Sequence, residues 1–229
     1  MQSVERISTE QWREAMAHLR DIKQCQVPLQ LPVRDNAGSV VGQLEPITAR
    51  HLEDSQLIAT FVRWRNVNRS GYLDQRPVDD QSTAKWLADV VANERRISLL
   101  IYFGEKLIGR CGAVNLSPEG HEADSLVRGE RGGGFGFLLA AQRTGLAWLF
   151  ASGIGGSSVS ARVLDSNDLA LHNCRELGYE MTPVKVERSS IQNYSSSGLS
   201  SREEGPELWT LKMSREQFQR QFPTAAPNH

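Results

Sequence analysis

Long apolar runs, clustered cysteines, paired histidines and a surplus of either charge are all scarce in these 229 residues, and each shortage excludes something. No stretch approaches the roughly eighteen consecutive apolar residues of a membrane span, and the first thirty residues carry mixed charges without the apolar centre of a secretion signal. Cys25, Cys111 and Cys174 are odd in number and widely separated. That excludes a disulfide framework or a C-x-x-C metal knuckle and predicts reduced thiols. His18, His51, His121, His172 and His229 form no H-x-x-x-H pair, so no metal is expected. A formal net charge of -1 removes the electrostatic footprint of a dedicated nucleic-acid binder. The expectation is a soluble, cytoplasmic protein whose partner is neither nucleic acid nor membrane. A hydrophobic content of 39% is enough for a sizeable core, in one large domain or in a domain plus an appendage.

Glycine, by contrast, is concentrated where it matters. The run Arg128-Gly129-Glu130-Arg131-Gly132-Gly133-Gly134-Phe135-Gly136 follows a strand-like piece, Glu122 to Val127, and precedes the apolar helical run Phe137 to Arg143. Strand, glycine turn and helix together make an anion site. Residues without a Cβ allow positive φ and close approach, while the first amides of the helix stay unpaired and point outward. Two phosphate motifs fail here. Phe137 and Leu139 stand where G-x-G-x-x-G needs its last glycine, and Phe135 and Gly136 stand where a P-loop needs Lys and Ser or Thr. The pattern Q/R-x-x-G-x-G/A fits Arg131 to Gly136 without a gap. A glycine-rich surface turn ahead of a core helix is the competing reading.

Around this centre the chain punctuates itself clearly. Ser8 or Thr9 caps a predicted helix to about Gln24, with Trp12, Met16 and Leu19 on one face. Val27 to Val33 and Val40 to Leu44 form a predicted hairpin whose prolines place its first strand at an edge. Thr48 can cap a helix carrying Leu52, Leu57, Phe61 and Trp64; a loop through Ser70 to Pro77 leads to a second helix, Asp80 to Asn93. Ile97–Phe103 and Lys106–Val114 pair about a Gly104-Glu105 turn of type II′, and His121 to Val127 is the third strand. A helix to about Ala151, a strand at Val159 to Val163, a helix after Asn167, a serine-rich loop over 189–204, a strand at Leu208 to Met213 and a helix capped by Ser214 complete the order.

The segment Arg131 to Gly136 resembles the acetyl-CoA pyrophosphate loop of the GCN5-related N-acetyltransferase (GNAT) superfamily. Leu107-Ile108-Gly109 resembles that superfamily's third strand, and Asn167, Ala170, Leu177, Gly178 and Tyr179 fall in register with its last motif, N-x-x-A followed by L-G-F/Y. The resemblance covers about Leu44 to Met213. It implies an α/β (α+β) fold in which helices flank a mixed central sheet. The acetyltransferase domain would span 42–213; outside the resemblance, 1–41 reads as a helix and hairpin appendage serving as lid or homodimer contact, and 214–229 as a short helix and tail. The implied activity is acetyl-CoA-dependent transfer to a primary amine of a small molecule, with a phosphorylated or nucleotide-linked amino sugar as one acceptor. A protein or peptide N-acetyltransferase, and a non-catalytic acyl-CoA-binding module, are the alternatives.

The resemblance also assigns residues. The backbone of Arg131, Gly132, Gly133, Gly134, Phe135 and Gly136 would hold the pyrophosphate, and that of Leu126 and Val127 the pantetheine arm, in a groove where two strands part. Asn167 either contacts that arm or simply caps a helix. The superfamily's usual acid, a tyrosine four residues before the glycine of L-G-F, is replaced by Cys174, which is either a weak proton donor or inert packing. Strand alternation puts Glu122 and Asp124 on one face as candidate bases, with His121 beside them. Arg65, Asn66, Arg69 and Tyr72 are the candidate acceptor contacts, the arginines alternatively completing a solvated helix end.

Overall fold

The structure, a computed structural model, describes residues 7–72, 74–134, 136–185 and 207–223. Alternation builds its first edge. Strand β1 (Leu31–Arg34) buries Leu31 and Val33 and exposes Pro32 and Arg34, and its outer edge needs no donor from the proline. Antiparallel neighbours follow as β2 (Val40–Pro46), β3 (Arg96–Phe103), β4 (Lys106–Ser117) and β5 (Gly120–Arg128). Strand β6 (Ser158–Leu164) then lies parallel to β5, and β8 (Glu207–Ser214) sits between β6 and β7 (Glu180–Lys185). One mixed sheet results, in the order β1-β2-β3-β4-β5-β6-β8-β7.

Helices cover this sheet through three linked clusters. Helix α1 (Thr9–Lys23) starts at a Ser8–Gln11 capping box and packs Ala15, Leu19 and Ile22 against β1 to β4, together with Phe137, Ala141 and Trp148 of α4 (Phe137–Ala151). Helices α2 (Ser55–Val67) and α3 (Asp80–Ala92) bury Leu57, Phe61, Trp64, Leu87 and Val90 against Leu100 and Val127. Helices α5 (Asp168–Glu176) and α6 (Arg215–Gln221) join the C-terminal half of α4 over β6 and β8.

One expectation changes here. Asp54, not Thr48, caps α2, because Thr48 opens a separate 3-10 turn whose His51 Nδ1 accepts the Thr48 N–H at 3.0 Å. Ala15, Leu19 and Ile22 of α1 and Leu31 and Val33 of β1 join one core cluster with β2, β3, β4 and α4. Burying Leu19 and Ile22 contributes about 1.5–3 kcal/mol each. The serine-rich segment 189–204 lies outside the described residues.

The functionally decisive contact is between β5 and β6. Only His121 with Val159 and Glu122 with Ser160 are paired; beyond them the strands part. Serine hydroxyls brace this closed end. Ser157 and Ser158 each donate to the Glu119 carbonyl at 2.8 Å, and Ser160 donates to that of His121 at 3.3 Å. His121 itself is buried against the Phe150 ring and donates from Nδ1 to the Gly155 carbonyl at 2.6 Å. Burial pushes its pKa down to about 4, against the raising effect of that bond. A histidine held neutral in the fold but free to protonate when unfolded stabilises the fold above about pH 6.5, and loses that contribution as pH falls toward 4. The full effect is about 3 kcal/mol. His121→Gln, which can still donate to Gly155 but does not titrate, should therefore flatten this part of the stability profile in denaturant melts between pH 7 and 4. Parallel profiles for the two proteins would contradict the assignment.

Candidate functional site

Past Glu122, the β6-facing edge of β5 has no strand partner among the described residues. Its other edge stays paired with β4, but with a change of register: Arg110 faces Val127 whereas Gly112 faces Asp124, so β5 carries one extra residue between them. This bulge lets Asp124, Ser125 and Val127 all line one cavity, while Leu126 packs into the α1 and α4 core. The cavity of about 280 Å³ lies between the sheet, α2 and α3, and Trp64, Arg65, Tyr72, Trp86, Arg96 and Arg110 contribute to its walls.

At the far end, β5 runs into the glycine turn. The amides of Gly129 and Glu130 both donate to the Ile108 carbonyl, at 2.9 and 3.0 Å, which pins the turn's entrance to β4. The Glu130 carboxylate accepts from Trp64 Nε1 at 3.1 Å and pairs with Arg63, tying the turn to α2. Gly133, Gly134 and Gly136 then take φ of +75°, +63° and +84°, the left-handed region that glycine occupies without strain. Lys106 Nζ donates to the Arg131 carbonyl at 3.1 Å and Arg128 to that of Gly132 at 3.2 Å. The carbonyls are thus engaged. The amides of Arg131, Gly132, Gly133 and Gly134 meet no acceptor among the described residues, and Gly136 leads directly into α4. Unengaged amides, a helix N-terminus and two nearby cations suit a phosphate. Phe135 lies outside the described residues.

The candidate catalytic residues separate into different settings. Glu122 accepts from Arg162 Nε at 2.9 Å and from Asn115 Nδ2 at 3.2 Å, at the mouth where β5 and β6 part. Asp124 accepts from Arg96 at 3.3 Å, Arg110 at 3.4 Å and the Ser125 amide at 2.8 Å. Burial pushes its carboxyl up, but Arg110, Arg96 and that amide outweigh burial and hold it below the usual carboxylate range. An anion so well satisfied is a poor proton acceptor and a good anchor. Cys174 is packed with Leu177, Tyr179 and Phe150 in the core under α5 and does not line the cavity; burial raises its thiol to about 11. His121 is equally unsuited to act as a base.

The acceptor candidates divide as well. Arg65 and Tyr72 face the cavity, the guanidinium lying 3.6 Å from the ring centroid. Burial raises the Tyr72 phenol, against the pull of Arg110 and Arg65. Asn66 is occupied in structure: it exchanges hydrogen bonds with the Val78 amide and carbonyl, at 2.9 and 2.8 Å, and clips the loop to α2. Arg69 is exposed, away from the cavity walls. Asn167 caps α5 through the Ala170 amide at 3.2 Å and also donates to the Gly71 carbonyl at 3.4 Å, linking the β6 side to the loop carrying Tyr72. Sequence reasoning missed Arg96, Arg110 and Trp86. The available signal was an arginine at the start of β3 and another between the apolar residues Ile108 and Cys111 of β4.

A Cβ on Gly129 would stand 1.9 Å from the Trp64 indole, a rigid wall of the cavity. Gly129→Ala should cost about 1–3 kcal/mol by overpacking, read as a lower denaturation midpoint. A variant as stable as its parent would show that Trp64 is not fixed there.

No protein-family model matches the chain, and no curated protein matches it in sequence. Its architecture does match solved structures. A ribosomal L7/L12 alpha-N-protein acetyltransferase in complex with coenzyme A superposes with a TM-score of 0.63 at 12% identity, over 81% of this chain and 98% of that one. For a spermidine N-acetyltransferase from Vibrio cholerae, in complex with CoA and spermine, the TM-score is 0.57 at 12% identity, covering 78% and 98%. For the Campylobacter jejuni N-acetyltransferase PseH it is 0.52 at 15% identity, covering 76% and 99%. With its parted central strands, bulged β5 and glycine turn at the start of α4, the chain has the fold of the GCN5-related N-acetyltransferases.

Proposed function

We propose that the protein is an acetyl-CoA-dependent N-acetyltransferase that acts on a primary amine of a small molecule. The observation that carries this reading is the unpaired edge of β5, which leads without interruption into a turn of unengaged amides. Acetyl-CoA supplies the acetyl thioester, whose C–S bond gives way to an amide C–N bond as one proton passes from the amine to the departing thiolate. In this reading the amides of Arg131 to Gly134 and of Gly136 hold the pyrophosphate, with Lys106 and Arg128 adding positive charge. Leu126 and Val127 offer their backbone to the pantetheine arm as a strand offers its edge. An amide of β5 near Leu126 or Val127 stabilises the oxyanion in this reading, since that of Ser125 is taken by Asp124.

The acceptor enters through the cavity beneath Tyr72 and Trp86. Asp124, ionised between its arginines, orients the ammonium end by accepting a hydrogen bond. Glu122, nearer the mouth of the groove, takes the amine proton through water. Tyr72 takes the role that Cys174 cannot fill: its protonated phenol faces the cavity, while the Cys174 thiol is enclosed in the core. A phosphorylated or nucleotide-linked amino sugar is the finer reading of the acceptor, supported by the cations around the cavity.

Acetyl-CoA should raise the melting temperature. Gly134→Glu, which places charge and bulk against the pyrophosphate, should abolish the rise, whereas Gly134→Asn, tolerated at positive φ, should keep most of it. An unchanged melting curve for the parent at millimolar ligand would sink the proposal. Tyr72→Phe should lower kcat about 100-fold with the KM for acetyl-CoA unchanged. Full activity in that variant would move the proton donor elsewhere.

A further inference from the structure

The cavity between α2, α3 and the sheet gathers more positive charge than its own walls neutralise. Arg65 comes from α2, Arg96 from β3 and Arg110 from β4, and Asp124 is the single carboxylate among the lining residues. Arg96 and Arg110 share one oxygen of that carboxylate, at 3.3 and 3.4 Å. Arg96 has a second partner in the half-exposed Asp89, at 2.8 Å. Among the described residues Arg65 forms no ion pair; the Asp74 carboxylate acts on it only at longer range and is itself paired with Arg76. Arg65 Nη2 donates to the Asp74 carbonyl, and its Nη1 is buried with no acceptor among the described residues; Arg96 Nε is in the same state.

Aromatic rings fix these groups without adding negative charge. Arg110 and Arg96 lie 4.7 and 5.4 Å from the Trp86 ring, and Arg65 stacks on Tyr72. A wall that only had to be stable would be better made of apolar side chains, since enclosed cations short of counter-charge oppose folding. Guanidinium forks held in fixed planes match two oxygens of a phosphate or carboxylate. A polyamine, cationic along its length, would meet like charge there.

We propose that Arg65, Arg96 and Arg110 form an anion subsite, so that the acceptor is an amine that also carries a phosphate or carboxylate, its ammonium end toward Asp124. That the anion belongs to an acetyl acceptor rests on the proposed acetyltransferase activity. The subsite itself can be tested without turnover.

Inorganic phosphate is the first probe, used on Gly134→Glu so that the glycine turn cannot bind it. In that background phosphate should still raise the melting temperature, and adding Arg65→Met should weaken its apparent Kd at least about tenfold. Arg110→Lys, which keeps the charge but loses the fork, should give an intermediate value and guards against a misfolded methionine variant. No phosphate binding in the turn-blocked protein, or equal binding with Arg65→Met, would overturn the subsite. The second probe is acetylation of matched pairs, glucosamine 6-phosphate against glucosamine and tyrosine against tyramine. The anionic member should have a kcat/KM at least about tenfold higher, with the ratio falling toward one in Arg65→Met. A preference for the uncharged members, or for spermidine, would overturn the acceptor class. Failure of acetyl-CoA to bind would remove the acetyltransferase reading and leave the phosphate result to decide the subsite.

Discussion

Two residue pairs, His121 with Val159 and Glu122 with Ser160, determine where this sheet opens. A sheet gains stability from each further pair, so a parting of adjacent parallel strands must be held by something else. Here the closed end is locked by the serine bonds to the Glu119 and His121 carbonyls and by the buried imidazole on Gly155. Beyond it, β6 is kept on its own course by continuous pairing with β8 along its whole length. Strand β5 is kept on its course by β4. The groove is therefore the space between two well-supported ribbons, and the exposed β5 backbone is its natural ligand edge.

The surroundings of that edge show where stability has been given up for chemistry. The glycine turn needs three left-handed residues and leaves amides without protein acceptors. Asn115 takes φ of +55° inside β4 and donates to Glu122, so a strained backbone position and a candidate proton acceptor are coupled. Three guanidiniums line a cavity whose walls hold one carboxylate, and only two of them touch it. Each feature opposes folding taken alone, and all of them face the groove, the turn or the cavity.

Much of this was legible in sequence because it is local. Ser8 with Gln11 and Ser214 with Gln217 are capping boxes that can be read within four residues, and both helices start there. Strand, glycine turn and helix are contiguous, so the turn was legible too. Register and partnership were not. The bulge that brings Ser125 beside Asp124 is a relation between β5 and β4, and no pattern within β5 announces it. Arg96 reads as the last of a charged turn, Glu94-Arg95-Arg96, and Arg110 as one polar residue in β4, because the carboxylate that joins them lies 28 and 14 residues away. Strand β7 escaped notice because it lies at an edge, carries Pro183 and is largely exposed, so alternation is absent. The amphipathic face of α1 was visible, but that it packs with β1 to β4 and α4 was not. Asn167 was read as either cap or ligand contact; it caps α5 and also bonds the Gly71 carbonyl.

The central claim is that the parted edge of β5 and the turn after it receive acetyl-CoA. Amide hydrogen exchange with and without coenzyme A tests this most directly, because it reports individual backbone groups. The account predicts slowed exchange concentrated at Leu126, Val127 and Arg131 to Gly136, with β1 to β3 unchanged. Protection that appears elsewhere while these amides exchange as before would contradict it.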